Sequence, residues 1–135
     1  MTLVVVKNRF RINMNLEKVA EAAFSVLGKM DGEIELVFVD DSFIRKLNEK
    51  YRNMAKATDV LSFKVEENPL MGQIFICYTV AKSQAKKYRT SLNDEISRLL
   101  IHGIVHIFGY DHVGSQDRKE MEGIEQKISE RIINA

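Results

Sequence analysis

All three histidines of this 135-residue chain fall in one stretch, HGIVHIFGYDH, from His102 to His112. On an α-helix His102 and His106 leave the same face one turn apart, a spacing at which two imidazoles can bind one metal ion. Gly109 follows three residues later, where a glycine can end the helix and reverse the chain. His112 is then placed to fold back toward the first two. Three imidazoles leave a tetrahedral ion one open position, which suits a catalytic zinc and not a closed structural one. The expectation is one zinc per chain, held by His102, His106 and His112, with water at the open position. A lone helical histidine is ordinarily a surface or hydrogen-bonded core residue, and two at this spacing also arise by accident. The third, delivered by a glycine, is what favours metal.

The skeleton H-x3-H-x2-G-x2-H is that of the metzincin signature, except that Gly103 stands where those proteases carry their catalytic Glu. That carboxylate takes a proton from the activated water and passes it to the leaving amine. An ester or phosphate-ester oxygen leaves more easily. Phosphoryl transfer depends mainly on positioning and on neutralising charge spread over phosphate oxygens. The missing Glu therefore leans toward phosphodiester chemistry.

A helix must carry the first two histidines. Ser91, three residues before Asp94, resembles a capping box opening a helix that runs to about Phe108. Upstream, Leu3 to Val6 reads as a short strand. Asn15 caps a helix with Leu16, Val19, Ala20, Ala23 and Leu27 at the helical period. GEIELVFVD alternates as a strand after the Asp31-Gly32 turn. Asp40 or Asp41 caps a second helix with Phe43, Ile44, Leu47 and Tyr51 on its buried side. Val60 to Val65 and Gln73 to Cys77 are expected strands joined across a loop at Pro69, followed by a helix over roughly Val80 to Tyr88. Ser115 is a candidate cap for a last helix with Met121, Ile124, Ile128 and Ile132 inward. The order β-α-β-α-β-β-α-α-α predicts an α/β (α+β) fold: one mixed sheet of about four strands surrounded by about five helices, forming a single domain over 1–135.

Twenty Lys and Arg against nineteen Asp and Glu leave a net charge of +1, so only local clusters can point to a partner. Two such clusters stand out: Arg45, Lys46, Lys50, Arg52 and Lys56, then Lys82, Lys86, Lys87 and Arg89. Each is usually just a solvated helix face; bordering the zinc cleft, both would form the phosphate-tracking groove that an RNA enzyme needs. Cys77 is the only cysteine, which excludes an internal disulfide and a multi-cysteine metal site. No run approaches the roughly 18 apolar residues of a membrane span, and the apolar start is too short for a signal-peptide core. A soluble, cytoplasmic protein is expected.

HGIVHIFGYDH resembles the HGxLHLxGYDH signature of the YbeY family, bacterial endoribonucleases of ribosomal RNA maturation. LNEKYRNMAKATDVLSF, from Leu47 to Phe63, resembles that family's LNxxYRxxxxxTDVLSF, and GQIFICYTVAKSQA resembles its GDIxIS segment and QA-containing helix. Gln73 replaces the Asp of GDI, which puts any role of that carboxylate in doubt, and Val105 replaces a Leu between the histidines.

The resemblance implies His102, His106 and His112 as zinc ligands and Arg52 as the residue needed for nuclease activity. A guanidinium suits that role, being planar, bidentate and always charged, although a helix-end arginine is otherwise often just solvated. Lys56 and Thr58 are further candidates for substrate binding. Asp59 could face the site or serve a turn, and Asp111 could orient a ligand imidazole or be a surface carboxylate. The implied function is a single-strand-acting endoribonuclease in ribosomal RNA maturation, including 16S 3′-end processing, and in ribosome quality control. Its implied partners are ribosomal RNA precursor and the small ribosomal subunit, with neither DNA nor membrane. Two rivals are a metal-dependent peptidase or amidase that recruits Asp111 or Glu95 as its base, and a non-catalytic ribosome-assembly factor. No linear aromatic RNA-recognition motif is present, so weak base specificity is expected.

Overall fold

Thr2–Val5 (β1) pairs in parallel with Glu33–Val39 (β2), and a parallel pair requires a crossover, here the helix Leu16–Leu27 (α1). The structure, a computed structural model, describes residues 1–28, 31–111 and 113–133. Asp41–Arg52 (α2) follows β2, then Val60–Glu67 (β3) and Leu70–Cys77 (β4) form an antiparallel pair. Tyr78–Tyr88 (α3), Leu92–Ile107 (α4) and Ser115–Ile133 (α5) complete the described elements. The strand order is β1-β2-β4-β3, with β2 and β4 parallel, giving the expected mixed sheet of four strands and five helices.

Capping explains where the helices start. Asn15 Oδ1 accepts from the Lys18 amide at 3.0 Å, Asp40 Oδ1 from Phe43 at 2.8 Å and Ser91 Oγ from Asp94 at 3.0 Å. Of the two caps considered for α2, Asp40 is the one used. Ser115 is no cap; it is the first residue of α5.

Ile34, Leu36, Ile74 and Ile76 project from one sheet face into the main core, where α1, α4 and α5 also bury their apolar sides. Helix α4 lies across β3 and β4 and touches α1, α3 and α5, so the histidine-bearing element is the hub of the packing. Gly103 makes this close approach possible: a Cβ there would meet the Ile74 side chain at 2.9 Å.

The other sheet face is covered more thinly. Val39, Ile44, Leu61 and Cys77 form a small second cluster beneath α2. The expectation that all of Phe43, Ile44, Leu47 and Tyr51 are buried is only half met. Ile44 is fully buried and Leu47 half-buried, but Phe43 is 49% exposed and Tyr51 57%. Helical periodicity identifies an apolar flank; here nothing among the described residues covers its outer side. Cys77 is buried in this cluster, its thiol donating to Asp41 Oδ1 at 3.3 Å, and burial pushes its pKa up. Asp41 is held below the usual carboxylate range, first by a hydrogen bond from Thr79 and then by that from Cys77.

The expected Pro69 loop is a tight hairpin. Both strands run further than their apolar cores, to Glu67 and from Leu70, leaving only Asn68 and Pro69 between them. Glu66 and Glu67 tolerate this because that end of the pair is open to solvent.

Candidate functional site

His102 and His106 sit one turn apart on α4, both half-buried, as the sequence predicts. Each ring is held at Nδ1 by a different element. Glu125 of α5 places Oε2 at 3.1 Å from His102 Nδ1, and Ser62 of β3 places Oγ at 2.9 Å from His106 Nδ1. An ionised carboxylate can only accept, so the contact with Glu125 calls for a proton on His102 Nδ1. Ser62 can accept from His106 in the same sense. Two imidazoles one helical turn apart, each oriented through Nδ1, fit the donor set of a zinc site, in which outer hydrogen bonds orient the ligands.

Gly109 has φ +104° and its amide donates to the His106 carbonyl at 3.0 Å, so the chain leaves α4 through the glycine as expected. His112, the expected third ligand, lies outside the described residues. Among the described residues no group of three or more His, Cys, Asp or Glu is placed to hold a metal ion.

Both histidines line a cleft of about 410 Å³ together with Arg52, Thr58, Asp59 and Ser62. Arg52 is the last residue of α2, and Asn53 ends the helix in the left-handed conformation, with φ 56° and ψ 34°. Asn48, itself 1% exposed, ties the following loop back to the helix by donating from Nδ2 to the Lys56 carbonyl at 3.0 Å. That bond anchors the segment between Arg52 and Thr58. Thr58 thus reaches the cleft, whereas Lys56 is not among the residues lining it. Of both basic clusters, Arg52 is the one member in the lining.

Asp59 organises the rim. Its Oδ1 accepts from the Val60 amide at 2.8 Å and from Thr58 Oγ1 at 3.4 Å, and its Oδ2 accepts from Gln84 Nε2 at 3.3 Å. Arg98 Nη2 stands 3.8 Å from Oδ2 and grips buried Glu95 by two bonds of 2.9 Å. Those bonds, donated to Glu95, raise the Arg98 pKa above its ordinary value. A second hollow of about 510 Å³ shares His102 and is lined by Arg98, Arg118 and Glu125.

Other polar candidates are accounted for locally. Asp111 Oδ1 accepts from the Val113 amide at 2.9 Å, a turn role. Gln73 Nε2 donates to Glu35 Oε1 at 2.9 Å, its register partner on β2. A carboxylate at position 73 would face Glu35 with like charge, so glutamine suits this chain. Ser62, Glu125 and Arg98 were not anticipated. Ser62 lies within the quoted TDVLSF block, but its partner is 44 residues away, and Glu125 is 23 residues from His102 on a helix of many carboxylates. Alternation along β3 could have put Ser62 on the face opposite Leu61 and Phe63, toward α4.

An α+β protein with two helical imidazoles, each held at Nδ1, and an arginine on one cleft is thus defined by fold and site together. The family profile described as Endoribonuclease YbeY matches residues 5–133, and the chain belongs to that family. Endoribonuclease YbeY of Desulforamulus reducens is 40% identical over 136 residues, covering 90% of this chain and 89% of the relative. That of Aquifex aeolicus is 38% identical over 138 residues, covering 98% and 92%. The solution structure of TM1509 from Thermotoga maritima superposes with a TM-score of 0.67 at 26% identity, covering 98% of this chain and 89% of the other. Among the described residues no helix is long and apolar enough to cross a membrane.

Proposed function

We propose that this protein is a zinc-dependent endoribonuclease that cuts single-stranded RNA, acting in the cytoplasm on ribosomal RNA precursor with the small ribosomal subunit. Processing of the 16S 3′ end and ribosome quality control are the steps in which we place it. The observation that carries the reading is the shared cleft: a guanidinium from α2 and two oriented imidazoles from α4 converge on one space. Family membership and the relatives described as endoribonucleases support the same chemistry.

His102, His106 and His112 would hold the zinc. The ion supplies Lewis acidity to activate water and to draw charge from a phosphate oxygen. Arg52 clamps non-bridging oxygens of the scissile phosphate and neutralises the charge that grows on them. Thr58 would turn its hydroxyl from Asp59 to the neighbouring phosphate, and Lys56, outside the lining, would offer a cation to the strand beyond the cleft. Asp59, fixed by Val60 and Gln84, keeps the Thr58 segment in place.

A peptidase needs a carboxylate base, and the position that supplies it in metzincins is closed. Gly103 is buried against Ile74, leaving no space for a glutamate. Glu95 is spent on Arg98, and Asp111 closes its own turn. Incubation with single-stranded RNA and, separately, with a denatured protein tests the assignment. RNA fragments with intact polypeptide are expected; peptide fragments with intact RNA would reverse it.

A further inference from the structure

Four aromatic side chains that the sequence scatters over α2, β3 and β4 meet in a continuous run. Phe43 and Phe75 stack with ring centroids 6.1 Å apart at 26°, Phe75 meets Phe63 edge-on at 5.9 Å, and Phe63 meets Tyr51 at 5.1 Å. Aromatic pairs in a core are shielded from water, but this run is open at both ends, at half-exposed Phe43 and Tyr51. The run also has a direction. Phe63 borders the cleft from the sheet face opposite the histidines, and Tyr51 immediately precedes Arg52. Positive charge borders it: Lys50 Nζ stands 5.2 Å from the Tyr51 ring centroid, and Arg45 and Lys46 are exposed on the same helix.

We propose that Phe43, Phe75, Phe63 and Tyr51 form a stacking platform for unpaired bases of the single-stranded RNA whose scissile phosphate occupies the cleft. The inference rests on the endoribonuclease reading and assigns a place to the flanking nucleotides. Every base has a π-face, so stacking on aromatic rings binds RNA with little regard to sequence, while the backbone between bases requires cations. Both are present side by side here. Duplex bases are stacked on one another and unavailable to such a surface, so the platform also selects single strands. A protein partner could cover an apolar face too, but the lysine and arginine border favours a polyanion.

The test is anisotropy of the full chain with a labelled single-stranded RNA and with the same length of RNA bearing abasic sites. Tyr51→Ala and Tyr51→Leu should weaken binding of ordinary RNA by about fivefold to a hundredfold, the range for loss of one stacked base. Tyr51→Phe should restore it, and the salt dependence should be unchanged, because no phosphate contact is lost. Abasic RNA should bind weakly and equally to all variants. Comparing Leu with Phe keeps the test decisive even if Tyr51→Ala folds poorly. Affinity of Tyr51→Leu within twofold of wild type overturns the platform and points to a protein-covered face. An equal loss on abasic RNA, or a Phe variant as weak as Leu, overturns it as well. A wild-type protein that binds no RNA at all overturns the endoribonuclease reading and the platform together.

Discussion

At the scale of single residues, the orientation of each imidazole is set by a partner from another element, not by the helix that carries it. Ser62 and Glu125 fix His106 and His102 through Nδ1, and losing an outer hydrogen bond of this kind typically costs about 10- to 100-fold in metal affinity. Ser62→Ala and Glu125→Ala should each weaken zinc binding by that order in competition with a chromophoric chelator. Wild-type affinity in both would mean that neither ring ligates through Nε2. Arg52 is proposed to contribute charge stabilisation. Removing one such donor costs about 2.7–4 kcal/mol of barrier, roughly a hundred- to a thousandfold in rate. Arg52→Ala should show that loss in single-turnover cleavage at saturating RNA, with zinc content and melting temperature nearly unchanged. Arg52→Lys should recover little, because an ammonium lacks the bidentate fork. A rate for Arg52→Ala within threefold of wild type would leave Arg52 as a binding contact only. The histidine pair was legible because four-residue spacing is a local property of a helix. Their Nδ1 partners were not, because 44 and 23 residues of chain must fold before they meet.

At the scale of elements, caps and periods read directly. Asn15, Asp40 and Ser91 announce their helices because a side chain accepting from an amide three residues on is encoded within one turn. What covers an element is not encoded so locally. The flank of α2 bearing Phe43 and Tyr51 has the pattern of a buried stripe, yet it overhangs a thin second cluster and stays half in water. The same limit hid the aromatic run, whose members come from three elements. Gly109 is the element boundary on which delivery of the proposed third ligand depends. Among the described residues a Cβ there would meet Lys64 Nζ alone, at 3.7 Å, and φ +104° makes a side chain costly. Gly109→Val should destabilise the α4 terminus by about 1–3 kcal/mol and weaken zinc binding without touching a ligand. A chelator competition that returns wild-type affinity would mean that the α4 exit does not deliver His112.

At the scale of the whole molecule, α4 is both the packing hub and the carrier of the histidine pair, so the histidine side of the cleft is firmly packed. On the other side exposed Arg52 projects from a helix end. A net charge of +1 cannot itself draw in RNA, so the proposed recognition would fall to the local cations of α2 and to the cleft. Because the core around α4 is built of apolar side chains, metal is expected to govern activity far more than folding. The measurement that bears most directly on this is single-stranded RNA cleavage as zinc is added back to chelator-stripped protein, with circular dichroism followed in the same samples. The account predicts a folded but inactive stripped protein whose activity returns as zinc approaches one equivalent per chain. Stripped protein that cuts RNA at the untreated rate, or full occupancy that restores no cleavage, would contradict it.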